Sequence, residues 1–458
     1  MKPKRYYIYQ LSRHLIPVYP VYLIMFTEHG LSLSSISLLL MIWSLPVVLL
    51  EIPTGVLSDL YGRKAPVLIG TVLHAACFAI WLFADHFVIF ALGFVCWGIS
   101  EALISGALEA LLFESLEAEG LAGQFDKIYA RGESLARVAL AAAMISGGLI
   151  TQFLGYNVTL TVSVLALVVA TVAILPVRDQ HVRHGSSRKI AQEASPVPTD
   201  ECHIPLENQS APASPVPTDE RLIPLENESA PASPAPTDER LIPLKNQATD
   251  DGQAPGFAVL KSALVFLIHS KAILIPALLG LLVIGLYAII DEYDAAVAAQ
   301  YMPSIMFIAL WGTGRFILEA IGAELAPIIN RKIKRRGDPM PGILIVSILA
   351  AAALFVFAYM RSPIAIILYA LYFMAMASMQ VIIEDYIQQK IENAGRSTVH
   401  SVLSLALNLY AMLVLGLISI IMTRADIHGL LVVVAIYAMV VVTALSVFYS
   451  RTKNSFFL

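Results

Sequence analysis

Twelve apolar stretches constrain what this chain can fold into more than any other feature of its sequence. A helix of about 20 mostly apolar residues is long enough to cross the hydrocarbon core of a bilayer. Only 14% of the residues are charged, compared with about 25% in soluble domains. The sequence therefore predicts an all-α membrane protein. The predicted spans, numbered 1 to 12 in chain order, are residues 6–27, 33–57, 64–84, 87–114, 128–152, 156–176, 271–291, 300–325, 340–359, 363–390, 397–422 and 428–450.

A polar segment, residues 177–256, separates spans 1–6 from spans 7–12. It contains three copies of a 19-residue repeat, the first beginning at Ala194, that are rich in proline, acids and small residues. Such a composition cannot bury a packed core. We therefore predict a long disordered cytoplasmic linker between an N-terminal six-helix bundle, residues 1–176, and a C-terminal six-helix bundle, residues 257–458. An alternative is that the repeats dock a partner and that the chain is a non-transporting receptor or scaffold.

The lysines and arginines are distributed unevenly between the two sets of span ends. If the N-terminus is inside, the inner segments carry most of them, whereas the outer loops carry only Arg361 and Arg424. Because cytoplasmic loops are enriched in these residues, both termini are predicted to be cytoplasmic. The lipid bilayer is then the main environment of the chain, and no nucleic acid is expected as a partner. No cysteine spacing is typical of a metal site, and no catalytic constellation appears, so we expect neither a cofactor nor an enzyme.

A charged turn between spans 2 and 3 reads Gly55-Val-Leu-Ser-Asp-Leu-Tyr-Gly-Arg-Lys64. Gly55 would allow close helix packing, and Gly62 would allow a turn with positive φ. The order resembles the loop between helices 2 and 3 of the major facilitator superfamily, which has the pattern G-x-x-x-D-[RK]-x-G-R-[RK]. The pattern matches at Gly55, Asp59, Gly62, Arg63 and Lys64, and departs only where this chain has a leucine in place of the usual base.

A degenerate copy of this motif lies between spans 8 and 9, where it keeps the leading Gly322 and the closing Arg331-Lys332. The resemblance implies two bundles that rock about a central site by alternating access. Helices 1, 4, 7 and 10 would line the cavity, and helices 2, 5, 8 and 11 would form the interface between the bundles. The resemblance also implies that Asp59 stabilises the outward-facing state by contacting the other bundle, and that Arg63 takes part in the same inner latch.

Ionisable side chains inside membrane helices are costly and are functional candidates by default. Glu101 is expected near mid-membrane as the proton carrier, and Arg13 would meet an anionic part of the substrate or reset Glu101. Alternatively, Arg13 extends to the inner headgroups, and Glu101 is a paired carboxylate that holds a neighbouring helix. The candidates for the substrate and proton pathway are Arg13, Glu101, Glu109, Asp291, Glu384 and Asp385.

Several neighbours of these candidates have simpler interpretations. Gly98 and Gly106 in span 4 would permit close helix contact. Arg315 and Glu319 have the i,i+4 spacing of a local ion pair. The three acids at the end of span 7 would usually be solvated, although Asp291 and Glu292 directly follow an apolar run and could line the mouth of a cavity or an outer gate.

Two patterns of proton-coupled drug antiporters are only partly present. Phe94 stands where the span 4 pattern has arginine, and span 5 keeps only the double glycine Gly147-Gly148 of G-P-x-x-G-G. Other segments of spans 2 and 4 resemble a bacterial drug-efflux-like branch. The hypothesis is a monomeric, proton-coupled secondary transporter that exports a small organic solute across the bacterial inner membrane. The alternative is uptake of a metabolite or siderophore-like anion by symport or facilitated diffusion.

Overall fold

A computed structural model describes residues 1–177, 271–334, 338–390 and 396–454. These residues form helices and connecting turns, with no β-strand among them, and they belong to one compact unit. The predicted all-α fold is therefore confirmed. The predicted linker lies outside the described residues apart from Val177, so the proposed division of the chain into domains stays a prediction.

Eleven helical segments of the described residues are long and apolar enough to cross a membrane, and they correspond to spans 2–12. Span 1 consists of two shorter helices, Pro3–His14 and Tyr22–Glu28. The remaining helices of the N-terminal half are Leu33–Tyr61 (span 2), Lys64–Trp81 (span 3), Phe87–Ile104 with Ala107–Ala118 (span 4), Phe125–Leu154 (span 5) and Tyr156–Ile174 (span 6). Those of the C-terminal half are Lys271–Leu279 with Gly285–Asp291 (span 7), then the short Asp294–Ala298, Ile305–Lys334 (span 8), Met340–Met360 (span 9), Ile366–Lys390 (span 10), Arg396–Ile421 (span 11) and Ile427–Asn454 (span 12).

The break in span 1 departs from the continuous helix predicted for residues 6–27. Pro17 and Pro20 lack an amide hydrogen and restrict the residue before them, so they interrupt the helical hydrogen bonds. The backbone N–H of Val18 instead donates to Ser163 Oγ of span 6 at 3.2 Å. A neighbouring side chain thus satisfies a backbone group that the break leaves without a helical partner, as a non-aqueous environment requires.

Span 4 also departs from the single helix predicted for residues 87–114, because its two helices meet at Gly106. Gly106 has a φ of 70°, a conformation that glycine adopts without a steric penalty. A Cβ there would meet open space, so the close packing predicted for Gly106 is wrong. At Gly98, by contrast, a Cβ would lie 2.2 Å from the backbone oxygen of Trp43 in span 2.

The double glycine of span 5 packs against both halves of the molecule. A Cβ on Gly147 would lie 2.0 Å from the backbone oxygen of Pro17 in the break of span 1. A Cβ on Gly148 would lie 2.2 Å from the Cβ of Ala309 in span 8 of the other half. Small residues allow such backbone contact between membrane helices, and they bring span 5 against span 8 as the resemblance implied.

Spans 2 and 11 form the second contact between the halves and are hydrogen bonded at two levels. Ser34 Oγ donates to the backbone oxygen of Ser419 at 2.7 Å. Further along both spans, Asn408 Nδ2 and Ser404 Oγ donate to the carboxylate of Glu51 at 3.1 and 3.3 Å. Glu51 is therefore a residue of the interface between the halves.

Candidate functional site

A cavity of about 330 Å³ lies between the two halves, at the level of the break in span 1 and the end of span 7. Its volume is at the lower end of the range for small-molecule sites. Spans 1, 4, 5, 7 and 8 contribute its wall, together with the short helix that follows span 7. The aromatic part of the wall is Tyr19, Tyr22, Trp97 and Phe316, and the charged part is Asp291, Glu292, Asp294 and Arg315.

Arg13 and Glu101, both predicted as pathway residues, form an ion pair next to this cavity. Arg13 Nη2 lies 3.1 Å from Glu101 Oε2, and the two side chains are 15% and 32% exposed. The indole Nε1 of Trp97 donates to Glu101 Oε1 at 3.3 Å. Trp97 lines the cavity, so the ion pair contacts the cavity wall through this aromatic side chain.

Trp97 belongs to a stack of aromatic rings. Its ring is stacked on Tyr19 at 5.4 Å, on His74 at 5.1 Å and on Phe94 at 5.8 Å between ring centroids. The hydroxyl of Tyr19 lies 3.3 Å from His74 Nε2. Phe94 occupies the position at which the antiporter pattern has arginine. In this chain it is buried, and its ring packs against the indole of Trp97.

Arg315 is the centre of a larger cluster than the local ion pair that its spacing predicted. The predicted pair with Glu319 is present, and Arg315 also donates to Asp291. Its Nε donates to Asp294 Oδ2 at 3.0 Å, so each of its three nitrogens contacts a different carboxylate. The Arg315 side chain is only 2% exposed, and Trp311 Nε1 donates to Asp294 at 3.0 Å.

Asp294 departs furthest from what the sequence suggested, since it is buried and not solvated. Span 7 ends at Asp291, and the short helix Asp294–Ala298 then turns the chain so that both acids meet span 8. No spacing rule connects Arg315 to acids more than twenty residues earlier. The available signal was the excess of acids at the end of span 7 opposite an arginine in the next span.

Glu292 links the two halves at the cavity. It accepts a hydrogen bond from the hydroxyl of Tyr22 in span 1. Beside it, the Tyr293 hydroxyl donates to Ser37 Oγ of span 2 at 2.7 Å. Among the described residues, no basic side chain lies within the 4.0 Å of an ion pair from Glu292.

The other three predicted pathway residues lie away from the cavity wall. Glu109 is exposed and accepts from the Tyr129 hydroxyl at 2.6 Å. The break in span 4 separates it from Glu101, so the two acids do not lie on one continuous helix. Asp385 accepts from Asn330 Nδ2 at 3.0 Å, and the adjacent Glu384 is exposed.

The motif between spans 2 and 3 is only partly as predicted. Gly62 ends the helix of span 2 with a φ of 100°, as expected for the turn. A Cβ on Gly55 would meet open space, so the predicted close packing at Gly55 is wrong in this structure. Arg63 Nε donates to Glu114 of span 4 at 2.8 Å, and Lys64 Nζ donates to the backbone oxygen of Leu175 at 2.7 Å. The side chain of Asp59 lies outside the described parts of the chain.

The sequence matches the Major Facilitator Superfamily model over residues 8–414. The chain therefore belongs to the major facilitator superfamily, and the family resemblance of its motifs is confirmed. No curated protein matches the sequence, and the resemblance to a drug-efflux-like branch stays a prediction.

Several solved transporters share the fold. The nucleoside transporter NupG is 13% identical, with a TM-score of 0.64 over 98% of this chain and 99% of that one. An auto-inhibited POT family peptide transporter is 10% identical, with a TM-score of 0.64 over 98% and 97% of the two chains. A D-xylose-proton symporter is 11% identical, with a TM-score of 0.61 over 97% and 94%. Family and fold together define a multi-pass membrane transporter with a small-molecule substrate.

Proposed function

We propose that this chain is a proton-coupled secondary transporter that moves a small organic solute through the cavity between its halves by alternating access. The observation that carries the proposal is the position of Glu101. Its carboxylate pairs with Arg13 on one side and accepts from the indole of Trp97 on the other. Because Trp97 lines the cavity, a proton on Glu101 and a solute in the cavity would act on the same side chain.

The coupling follows from the charges. An ionised Glu101 attracts Arg13 and accepts from Trp97, whereas a protonated carboxyl loses its attraction for the guanidinium and becomes a donor. A solute that packs on the indole would alter the hydrogen bond from Trp97 to Glu101. By linkage, the solute then changes the proton affinity of the carboxyl and the proton changes the affinity for the solute by the same factor.

Alternating access requires contacts between the halves that form in one state and break in another. The hydrogen bonds from Tyr22 to Glu292 and from Asn408 to Glu51 each join the two halves, and we assign them to the contacts that break between states. We assign Gly55, Asp59, Gly62, Arg63 and Lys64 to the gating motif, and Glu109, Glu384 and Asp385 to the pathway that leads away from the cavity.

We further propose that a monomer exports its solute from a bacterial cell across the inner membrane, with both termini in the cytoplasm. The asymmetry of lysine and arginine supports the orientation, and the efflux-like segments of spans 2 and 4 support the direction. Arg13 and Arg315 are both already paired with carboxylates, so these contacts do not favour uptake of an anion. Deletion of residues 191–250 is expected to leave transport intact, which would exclude the receptor or scaffold alternative.

Solute-driven proton movement in proteoliposomes tests the assignment of Glu101. Single solutes from a panel of cations, carboxylates, sugars and amino acids are added to vesicles that contain a pH-sensitive dye. Glu101→Gln keeps the size of the side chain but cannot ionise, and it is expected to abolish the proton signal. Glu117→Gln, a change at an exposed acid outside the cavity, is the matched control and should leave the signal intact. An unchanged signal in Glu101→Gln at equal protein levels would refute the assignment.

A further inference from the structure

The charged wall of the cavity holds more acid than base. Among the described residues, Arg315 is the one basic side chain that lines it, and each of its nitrogens already contacts Asp291, Asp294 or Glu319. Glu292 is a fourth carboxylate, and the contact described for it is the hydroxyl of Tyr22. With all four ionised, the group would carry three negative charges in excess.

Such an excess is unfavourable in a partly desolvated site. A carboxylate removed from water needs a charged or hydrogen-bonded partner, and a single neutral hydroxyl compensates it only in part. Arg315 cannot turn toward Glu292 without leaving another carboxylate. The chain itself therefore provides no further positive charge at this wall among the described residues, and a cation that enters the cavity would find its counter-charge at Glu292.

The aromatic part of the same wall suits the remainder of such a cation. Trp97, Tyr19 and Tyr22 all line the cavity, and Trp97 is held in position by stacking on Tyr19. The faces of these rings attract a positive charge and pack against apolar groups. The volume of about 330 Å³ leaves room for a small molecule only.

We propose that the cavity selects a small organic cation, an amine or ammonium compound with one apolar ring. Its charge is held by Glu292 and its ring packs on Trp97. Glu292 is thus the residue that determines specificity for charge. This inference rests on the proposed function, because it takes the cavity to be the transport site.

Equilibrium binding to the purified full-length protein tests this charge preference without any need for transport. Three probes of nearly equal size are compared: 2-phenylethylammonium, the neutral 2-phenylethanol and the anion phenylacetate. The cation is expected to bind at least tenfold more tightly than either of the others, as a hydrogen-bonded charge pair implies. Glu292→Gln should remove at least tenfold of that preference, whereas Glu117→Gln should keep it.

A second variant keeps the inference testable if Glu292→Gln does not fold. Tyr22→Phe removes the hydrogen bond to the same carboxylate but leaves its charge, so the preference for the cation should persist. The comparison of probes on the unaltered protein also stands alone: equal binding of all three, tighter binding of phenylacetate, or no binding of the cation at millimolar concentration each overturns the inference.

The two proposals fail in different ways. A charge preference that depends on Glu292, without any solute-driven proton movement, would support this inference and refute proton coupling. Proton-coupled flux of a neutral or anionic solute, by a protein that shows no preference for the cation, would refute this inference and leave the proposed function in place.

Discussion

Substitution of Gly147 by alanine tests whether the broken segment of span 1 is held in place by span 5. The added Cβ would lie 2.0 Å from the backbone oxygen of Pro17 and 2.8 Å from Cγ of Pro20. Neither atom belongs to a flexible side chain that could rotate away, so one of the two segments must shift. Pro20 lines the cavity, and the shift would therefore change the cavity wall.

The expected magnitude follows from two opposing terms. In a helix, alanine is favoured over glycine by roughly 0.5–1 kcal/mol because it loses less backbone entropy. Overpacking of a well-packed contact typically costs about 1–3 kcal/mol. At Gly147 the second term is expected to win, whereas at Gly314, in the middle of span 8, a Cβ meets open space and only the first term applies.

The assay is thermal unfolding of the two purified variants in detergent, followed by intrinsic tryptophan fluorescence. Gly147→Ala should melt at a lower temperature than the unaltered protein, and Gly314→Ala should melt at the same or a slightly higher temperature. Equal shifts of the two variants, or a more stable Gly147→Ala, would refute the packing argument.

Three further predictions concern substitutions of individual side chains. Ser163→Ala removes the acceptor of the Val18 N–H and should lower the free energy of unfolding by about 1–3 kcal/mol, whereas Ser163→Thr keeps the oxygen; melting curves that do not distinguish the two would contradict this. Arg315→Met leaves three carboxylates without their counter-charge and should destabilise the protein by about 3–5 kcal/mol, seen as loss of a single peak in size-exclusion chromatography. In the loop before span 12, the backbone N–H of Gly429 holds the pKa of Asp426 below its usual value. The ionised Asp426 then contributes to the free energy of unfolding above its unfolded pKa of about 3.9. This contribution is lost as the pH falls through the pKa of Asp426 in the folded protein. The difference in melting temperature between the unaltered protein and Asp426→Asn should be largest near neutral pH and shrink below about pH 4; a difference independent of pH would refute this.

The sequence alone was sufficient to predict the positions of spans 2–12 and the family. Both follow from local properties: the length of each apolar run, and the order of glycine, acid and basic residues in the loop after span 2. A contact between Arg13 and Glu101 is also one of the arrangements that the sequence predicts, because an arginine and a carboxylate inside a membrane each require a partner.

The remaining features depend on contacts that no local pattern records. Two prolines in span 1 are compatible with a helix that is only kinked. The break depends on Ser163 of span 6, which accepts the hydrogen bond of the Val18 backbone N–H. No local pattern around Asn408 of span 11 indicates a partner, yet its side chain donates to Glu51 of the other half. The environment of Arg315 likewise depends on a turn of the chain after span 7.

The central claim is that a solute in the cavity and a proton on Glu101 act through Trp97. The most direct test measures solute uptake and proton movement together in proteoliposomes that contain either the unaltered protein or Trp97→Phe, which keeps an aromatic ring but lacks the indole N–H. Solute is expected to drive proton movement in the unaltered protein, and Trp97→Phe is expected to move fewer protons for each solute molecule. Solute movement without protons in the unaltered protein, or an unchanged ratio in Trp97→Phe, would contradict it.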